Sequence, residues 1–215
     1  MTRHFRYIPV HVIVAEIGPA KASALPAFHS LTGCDSTSSF FGKGKRTAWD
    51  VWKSLPELTL PLQLLSRPNP SEQILTTHTK VLQKFVSHLY GVCHSDISSV
   101  NAARHYLFLK KGKDFLQMPP GSDALHQHLL RASYQSGHIW GNMLTKSAEP
   151  VPLKEWGWEL ESPDKAPTPV YRTIQMISRK MPELVSCHCN TPCKVPCSCC
   201  MYGQPCMLLC TCQCV

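Results

Sequence analysis

Ten of the twelve cysteines of this 215-residue chain lie in its last 29 residues. They run Cys187-x-Cys189-x3-Cys193-x3-Cys197-x-Cys199, with Cys200 adjacent, then Cys206, Cys210, Cys212 and Cys214. A stretch this short, with few large apolar side chains, cannot enclose a core, so any fixed fold there must come from the sulfurs. Two chemistries achieve that: disulfide pairing in an oxidising compartment, or thiolates sharing metal in a reducing one. Cysteines one residue apart bridge each other poorly, yet they readily present two sulfurs to one or two neighbouring ions. The tail holds four such pairs.

The start of the chain favours the second chemistry. MTRHFRYIPVHVIVAEIG lacks a convincing small-residue cleavage site, and His11 and Glu16 interrupt its apolar run. The expectation is a nuclear or otherwise intracellular protein with no membrane partner. Zinc takes four ligands, so nine or ten thiolates serve more than two ions only by bridging. The expected ligands are Cys187, Cys189, Cys193, Cys197, Cys199, Cys206, Cys210, Cys212 and Cys214. A metallothionein-like or oxidised tail with no fixed fold is the alternative. His188 reads as a bystander.

Upstream, the pattern is mainly helical. Residues 7–14 read as a strand-like run broken by Pro9. Short helices are expected at 20–31, with Pro26 tolerated only near the first turn, and at about 46–53. Residues 55–70 hold four prolines and read as a connector. Leu75, Leu82, Phe85, Val86 and Leu89 recur at helical spacing from Ser71 until Gly91 stops them. Further helices are expected over 98–110 and 122–140, the latter with Leu125, Leu129, Ala132 and Ile139 inward. Residues 145–185 are proline-rich and read as a linker. Trp156 and Trp158 are expected to pack back on the helical region. His126 and His128 diverge by about 200° on a helix, too far to share one ion. The expected divisions are 1–60, 61–144, the linker 145–185 and a metal module at 186–215.

The formal net charge is +8, and its surplus lies outside the tail. Residues 32–48, TGCDSTSSFFGKGKRTA, concentrate part of it. Gly42 and Gly44 allow a tight turn that exposes backbone N–H groups at the start of a helix, a place that favours negative charge. Lys43, Lys45 and Arg46 flank that turn and suit a nucleic-acid backbone.

Two resemblances follow from these motifs. The cysteine pattern from Cys187 to Cys212, with Gly203 between Cys199 and Cys206, resembles the CXC domain of tesmin/TSO1-like proteins. That family implies about three zinc ions in a shared thiolate cluster and frequent DNA binding. Nine thiolates with three zinc ions leave a net charge of about −3. The only charged side chain after Cys187 is Lys194, so the tail is a poor phosphate binder and suits protein partners better.

Gly33, Cys34, Asp35, Gly42, Gly44 and Ala48 resemble the helix–two-turn–helix motif of flap endonuclease and other structure-specific 5′ nucleases. The resemblance implies that Asp35 is a Mg²⁺ ligand and that Gly42, Lys43, Gly44, Lys45 and Arg46 form a turn gripping duplex phosphates. With IPVH, LPAFHSLTGCD, MPPGSDALHQHLLRASYQ and the closing cysteines, nearly the whole chain is similar to a widespread, mobile-element-borne animal family. A two-metal nuclease needs several carboxylates about 4 Å apart around its ions, and only Glu16 precedes Asp35. The expectation is a nuclease relic, or the carboxyl-terminal part of a longer product, inactive alone.

Overall fold

The computed structural model describes residues 7–94, 97, 99–111, 117–146, 151–162, 164–171, 173, 189 and 197. The chain divides into two compact units, Met1–Thr173 and Ile174–Val215. The first is mainly helical. Its α-helices are α1 Val10–Ile17, α2 Pro19–Leu31, α3 Lys45–Ser54, α4 Thr59–Leu65, α5 Gln73–Thr77, α6 Thr79–Leu89, α7 Val100–Lys111 and α8 Ser122–Ser133. A seven-residue π-helix, Tyr134–Trp140, continues α8. A two-stranded antiparallel ribbon follows, β1 Trp158–Glu159 with β2 Thr168–Pro169. Among the described residues no helix is long and apolar enough to cross a membrane.

One core joins these elements. Leu31 of α2, Trp52 of α3, Leu62 of α4, Phe85 of α6, Val100 of α7 and Leu125 of α8 all belong to it. It extends across residue 60, so no domain boundary falls there. The α2–α4 pair is its centre. Pro26 stands inside α2, well beyond the first turn to which the sequence pattern would confine it. Because proline interrupts the helical ladder, the next amide needs another acceptor: Ala27 N–H donates to Ser66 Oγ, at 3.0 Å, just past α4. Phe28 stacks on Trp52 at 4.9 Å and meets Trp49 edge-on at 5.7 Å, fixing α2 against α3.

Four expectations are corrected. The run at 7–14 is helical from Val10: Pro9 takes the N-cap place and Gly18, at φ +81°, ends the helix. The supposed connector at 55–70 carries a 3₁₀ turn, Pro56–Leu58, and α4, with Leu58, Leu62 and Leu65 buried. Prolines at the first turn of each segment are compatible with helix, since the missing N–H has no partner there anyway. The supposed linker at 145–185 contributes Val151–Thr173 to the first unit. Trp156 is buried, packing back on the helices as expected, and Arg131 of α8 donates to the carbonyls of Gly157 and Val170. Ile139 is exposed, whereas Leu125, Leu129 and Ala132 are buried. The π-helix changes the rotation per residue, so a position phased inward by α-helical periodicity turns outward.

Candidate nucleic-acid interface

The segment between α2 and α3 is held by its own side chains. At the end of α2, Thr32 Oγ1 donates back to Phe28 O at 2.7 Å. Gly33 then adopts φ +101°, and a Cβ there would lie 2.6 Å from Ser39 Cβ. This position therefore requires glycine both for its backbone angle and for the close return of the loop. Cys34 N–H donates to Thr37 O at 3.0 Å, and Thr37 Oγ1 donates to Ser30 O at 2.6 Å. The Cys34 thiol lies 3.1 Å from Thr37 Oγ1. Cys34 thus organises the loop that carries Asp35.

Buried His128 of α8 pins this loop to the core. Its Nε2 lies 2.8 Å from Leu31 O, so that nitrogen carries the proton. Nδ1 is then an acceptor for the Ser38 hydroxyl at 3.3 Å. Burial pushes the imidazole pKa down to about 4; the Leu31 bond opposes that shift and Arg131 adds to it. Phe40 is buried edge-on to His128 at 5.2 Å and to Tyr90 at 6.5 Å. His126, on the same helix, instead approaches Glu72 at 3.8 Å. The two histidines diverge as the helical geometry requires.

After Phe40 the chain reverses. Lys43 N–H donates to Phe40 O at 3.0 Å, Gly42 has φ +67°, and Phe41 has no positive φ. That combination is a type II β-turn with glycine at its third position. Gly44, extended at φ −82° and ψ 165°, then serves as the N-cap of α3. No side chain caps this end, and no acidic residue occupies its first turn. The helical ladder begins with Ala48 N–H to Gly44 O at 3.1 Å, so the preceding amides of α3 point out of the helix end. An added Cβ at Gly42 or Gly44 would meet no atom within 4 Å. The turn and the helix start are therefore open to an approaching group.

The three cations of this segment have different surroundings. Lys45 turns back onto α2: its ammonium donates to Gly33 O at 2.6 Å, to Thr32 Oγ1 at 2.9 Å and to His29 O at 3.0 Å. It caps the negative end of α2, and partial burial lowers its pKa. Lys43 places its ammonium 5.0 Å from the Tyr90 ring centre. Arg46 is exposed on the first turn of α3. Gly42 to Arg46 form one turn and helix start, within which Lys45 has a structural task that the sequence did not reveal. Asp35 is exposed on the preceding loop. Among the described residues it has no ion pair, and no three His, Cys, Asp or Glu side chains converge as a metal site.

Of the tail cysteines, Cys189 is half-buried and Cys197 is buried, at 3% exposure. The expected ligands Cys187, Cys193, Cys199, Cys206, Cys210, Cys212 and Cys214 lie outside the described residues. Sequence reasoning missed the role of His128, whose motif stood out without one because the loop it pins lies about 90 to 97 positions away. No protein-family model, curated protein or solved structure matches the chain.

Proposed function

We propose that this chain associates with nucleic acid by holding a duplex phosphate backbone against the turn at Gly42–Arg46, and that its carboxyl end is a zinc-thiolate module. The observation that carries the reading is the uncapped start of α3. It is open at both glycines and flanked by Lys43 and Arg46, with no acidic residue in the first turn. Outward amides, the positive end of the helix dipole and nearby cations together favour an anion there. Phosphate contacts of this kind position a protein on DNA without reading sequence. Asp35 stands beside this surface as an isolated carboxylate; Mg²⁺ would bind it usefully only alongside further carboxylates from a longer nuclease chain.

The donor chemistry of the tail supports zinc. Closely spaced thiolates match its preference for sulfur and a tetrahedral site, and ligation would supply folding free energy that the apolar content cannot. A second reading, a zinc-stabilised protein-interaction module with no nucleic-acid role, is favoured by the single charge on that tail, Lys194.

A gel shift of the full chain on a DNA duplex separates these readings. Lys43→Ala with Arg46→Ala should weaken the shift, while Cys197→Ser with Cys199→Ser should leave it. The reverse pattern would reject the turn as the point of contact, and no shift from any form would favour the interaction module. Native mass spectrometry should find about three zinc ions per chain, removable by chelator. A metal-free tail with S–S links would reject the zinc reading.

A further inference from the structure

Arg131 is the most telling charged group outside the turn. It is 4% exposed, yet among the described residues it forms no ion pair. One guanidinium nitrogen, Nη1, donates to Gly157 O and Val170 O, and the group lies 5.9 Å from the ring centres of both Trp158 and Tyr171. Burial lowers its pKa, and the opposing influence is Tyr171 rather than a carboxylate. Asp35 shares a neighbouring cavity with Arg131 and Tyr171 but, among the described residues, makes no ion pair there, and a buried cation without a paired charge is costly.

This guanidinium borders a cavity of about 340 Å³ between the Phe40–Phe41 turn and α8, also bordered by Arg104, Tyr90 and His128. No Asp or Glu is among the described residues that line it. Arg104 commits Nη1 to Pro119 O and keeps its other N–H donors. His128 is neutral here, so the wall holds two permanent cations. At the rim stand two aromatic rings, Phe41 at 59% and Tyr171 at 68% exposure. Rings exposed beside a cationic cavity offer a base a stacking surface. The volume lies at the small end of ligand pockets, roughly 300–1,000 Å³.

We propose that this cavity is a mononucleotide site, in which the guanidinium groups of Arg104 and Arg131 receive a phosphate and the rings of Phe41 and Tyr171 receive the base. The ligand supplies the missing counter-charge and covers the exposed rings. The nucleotide is either free or the 5′-phosphorylated end of a strand; both present the same chemistry. Phe41 belongs to the turn that precedes the duplex contact, but the phosphate here is taken by Arg104 and Arg131 rather than by Lys43 and Arg46, so this site does not rest on duplex binding.

The test is isothermal titration of the full chain with 2′-deoxyadenosine 5′-monophosphate, inorganic phosphate and deoxyadenosine. The nucleotide should bind saturably, and the other two at least roughly tenfold more weakly, because one lacks the base and the other the phosphate. Arg131 also ties the β-ribbon to α8, so the informative variants are Arg104→Gln and Tyr171→Ala, whose folding is checked by an unchanged melting transition. Each should weaken the nucleotide by roughly tenfold. Competition by a 5′-phosphorylated single strand, and not by its unphosphorylated form, assigns the site to strand ends. Nucleotide binding that neither strand displaces assigns it to free nucleotides. Absence of saturable binding up to about 5 mM overturns the proposal. So does wild-type affinity in both variants, or inorganic phosphate binding as tightly as the nucleotide.

Discussion

The three glycines of the α2–α3 segment should respond to alanine in a fixed order, because each has a different physical reason to be glycine. At Gly33 the backbone lies at φ +101°, and a Cβ would sit 2.6 Å from Ser39 Cβ and 2.7 Å from Ser39 Cα. The backbone strain costs about 1–3 kcal/mol. The overlap adds about 1–3 kcal/mol, since one of the crowded atoms is main chain and cannot simply rotate away. Gly33→Ala should therefore cost about 4 kcal/mol in total. At Gly42, φ is +67° and the space is open, so the backbone alone sets a cost of about 1–2 kcal/mol. Gly44 has φ −82° and open space, leaving only a poorer N-cap, under about 1 kcal/mol. All five tryptophans lie within the first unit, so urea unfolding followed by their fluorescence reports on that unit alone. For a unit of this size Gly33→Ala should also lower Tm by roughly 10 °C. If Gly33→Ala falls within about 1 kcal/mol of the wild type, or if Gly42→Ala proves the costlier, the close return of the loop is wrong.

Other expectations follow from the same geometry. His128 has a folded pKa of about 4 against an ordinary value of 6.5, so the unfolded chain binds its proton first as pH falls. Its contribution is complete above about pH 6.5 and is lost down to about pH 4, a loss of roughly 3 kcal/mol. Burial lowers His29, His88 and His138 as well, and they act in the same direction. Urea midpoints from about pH 7 to 4 should fall, less steeply in His128→Asn; an equal slope would contradict the assignment. Lys45→Ala should lower stability by about 1 kcal/mol through removal of the α2 cap, whereas Arg46→Ala should leave thermal unfolding unchanged and weaken DNA binding. Ala27 N–H relies on Ser66 Oγ, so Ser66→Ala should cost about 1–3 kcal/mol in the same fluorescence assay.

Periodicity disclosed the amphipathic helices well. The spacing of Leu75, Leu82, Phe85, Val86 and Leu89 reads as one helix from Ser71; the structure divides it at His78 into α5 and α6, and Gly91, at φ +81°, follows its end as expected. Proline misled the reading at 55–70, because Pro56 opens a 3₁₀ turn and Pro61, the one proline of α4, sits in its first turn. At Val10–Ile17 the β-branched residues favour a strand by propensity, yet the described residues offer no neighbouring strand, and helix forms between Pro9 and Gly18. The turn at Gly42–Gly44 was legible because its requirements are local. The tasks of Lys45 and His128 were not, since Lys45 grips carbonyls 12 and 16 positions away and His128 grips one 97 positions away. Arg131 likewise looked like any helical arginine until the ribbon at 158–169 folded over it.

The central claim is that the open start of α3 takes a phosphate backbone, and the salt dependence of duplex binding tests it most directly. Plotting log K against log salt for the full chain should give a negative slope that becomes shallower by about 1–2 in the Lys43→Ala, Arg46→Ala double variant, roughly 0.9 for each phosphate no longer neutralised. Identical slopes in the two proteins would place the DNA elsewhere on the surface and contradict the claim.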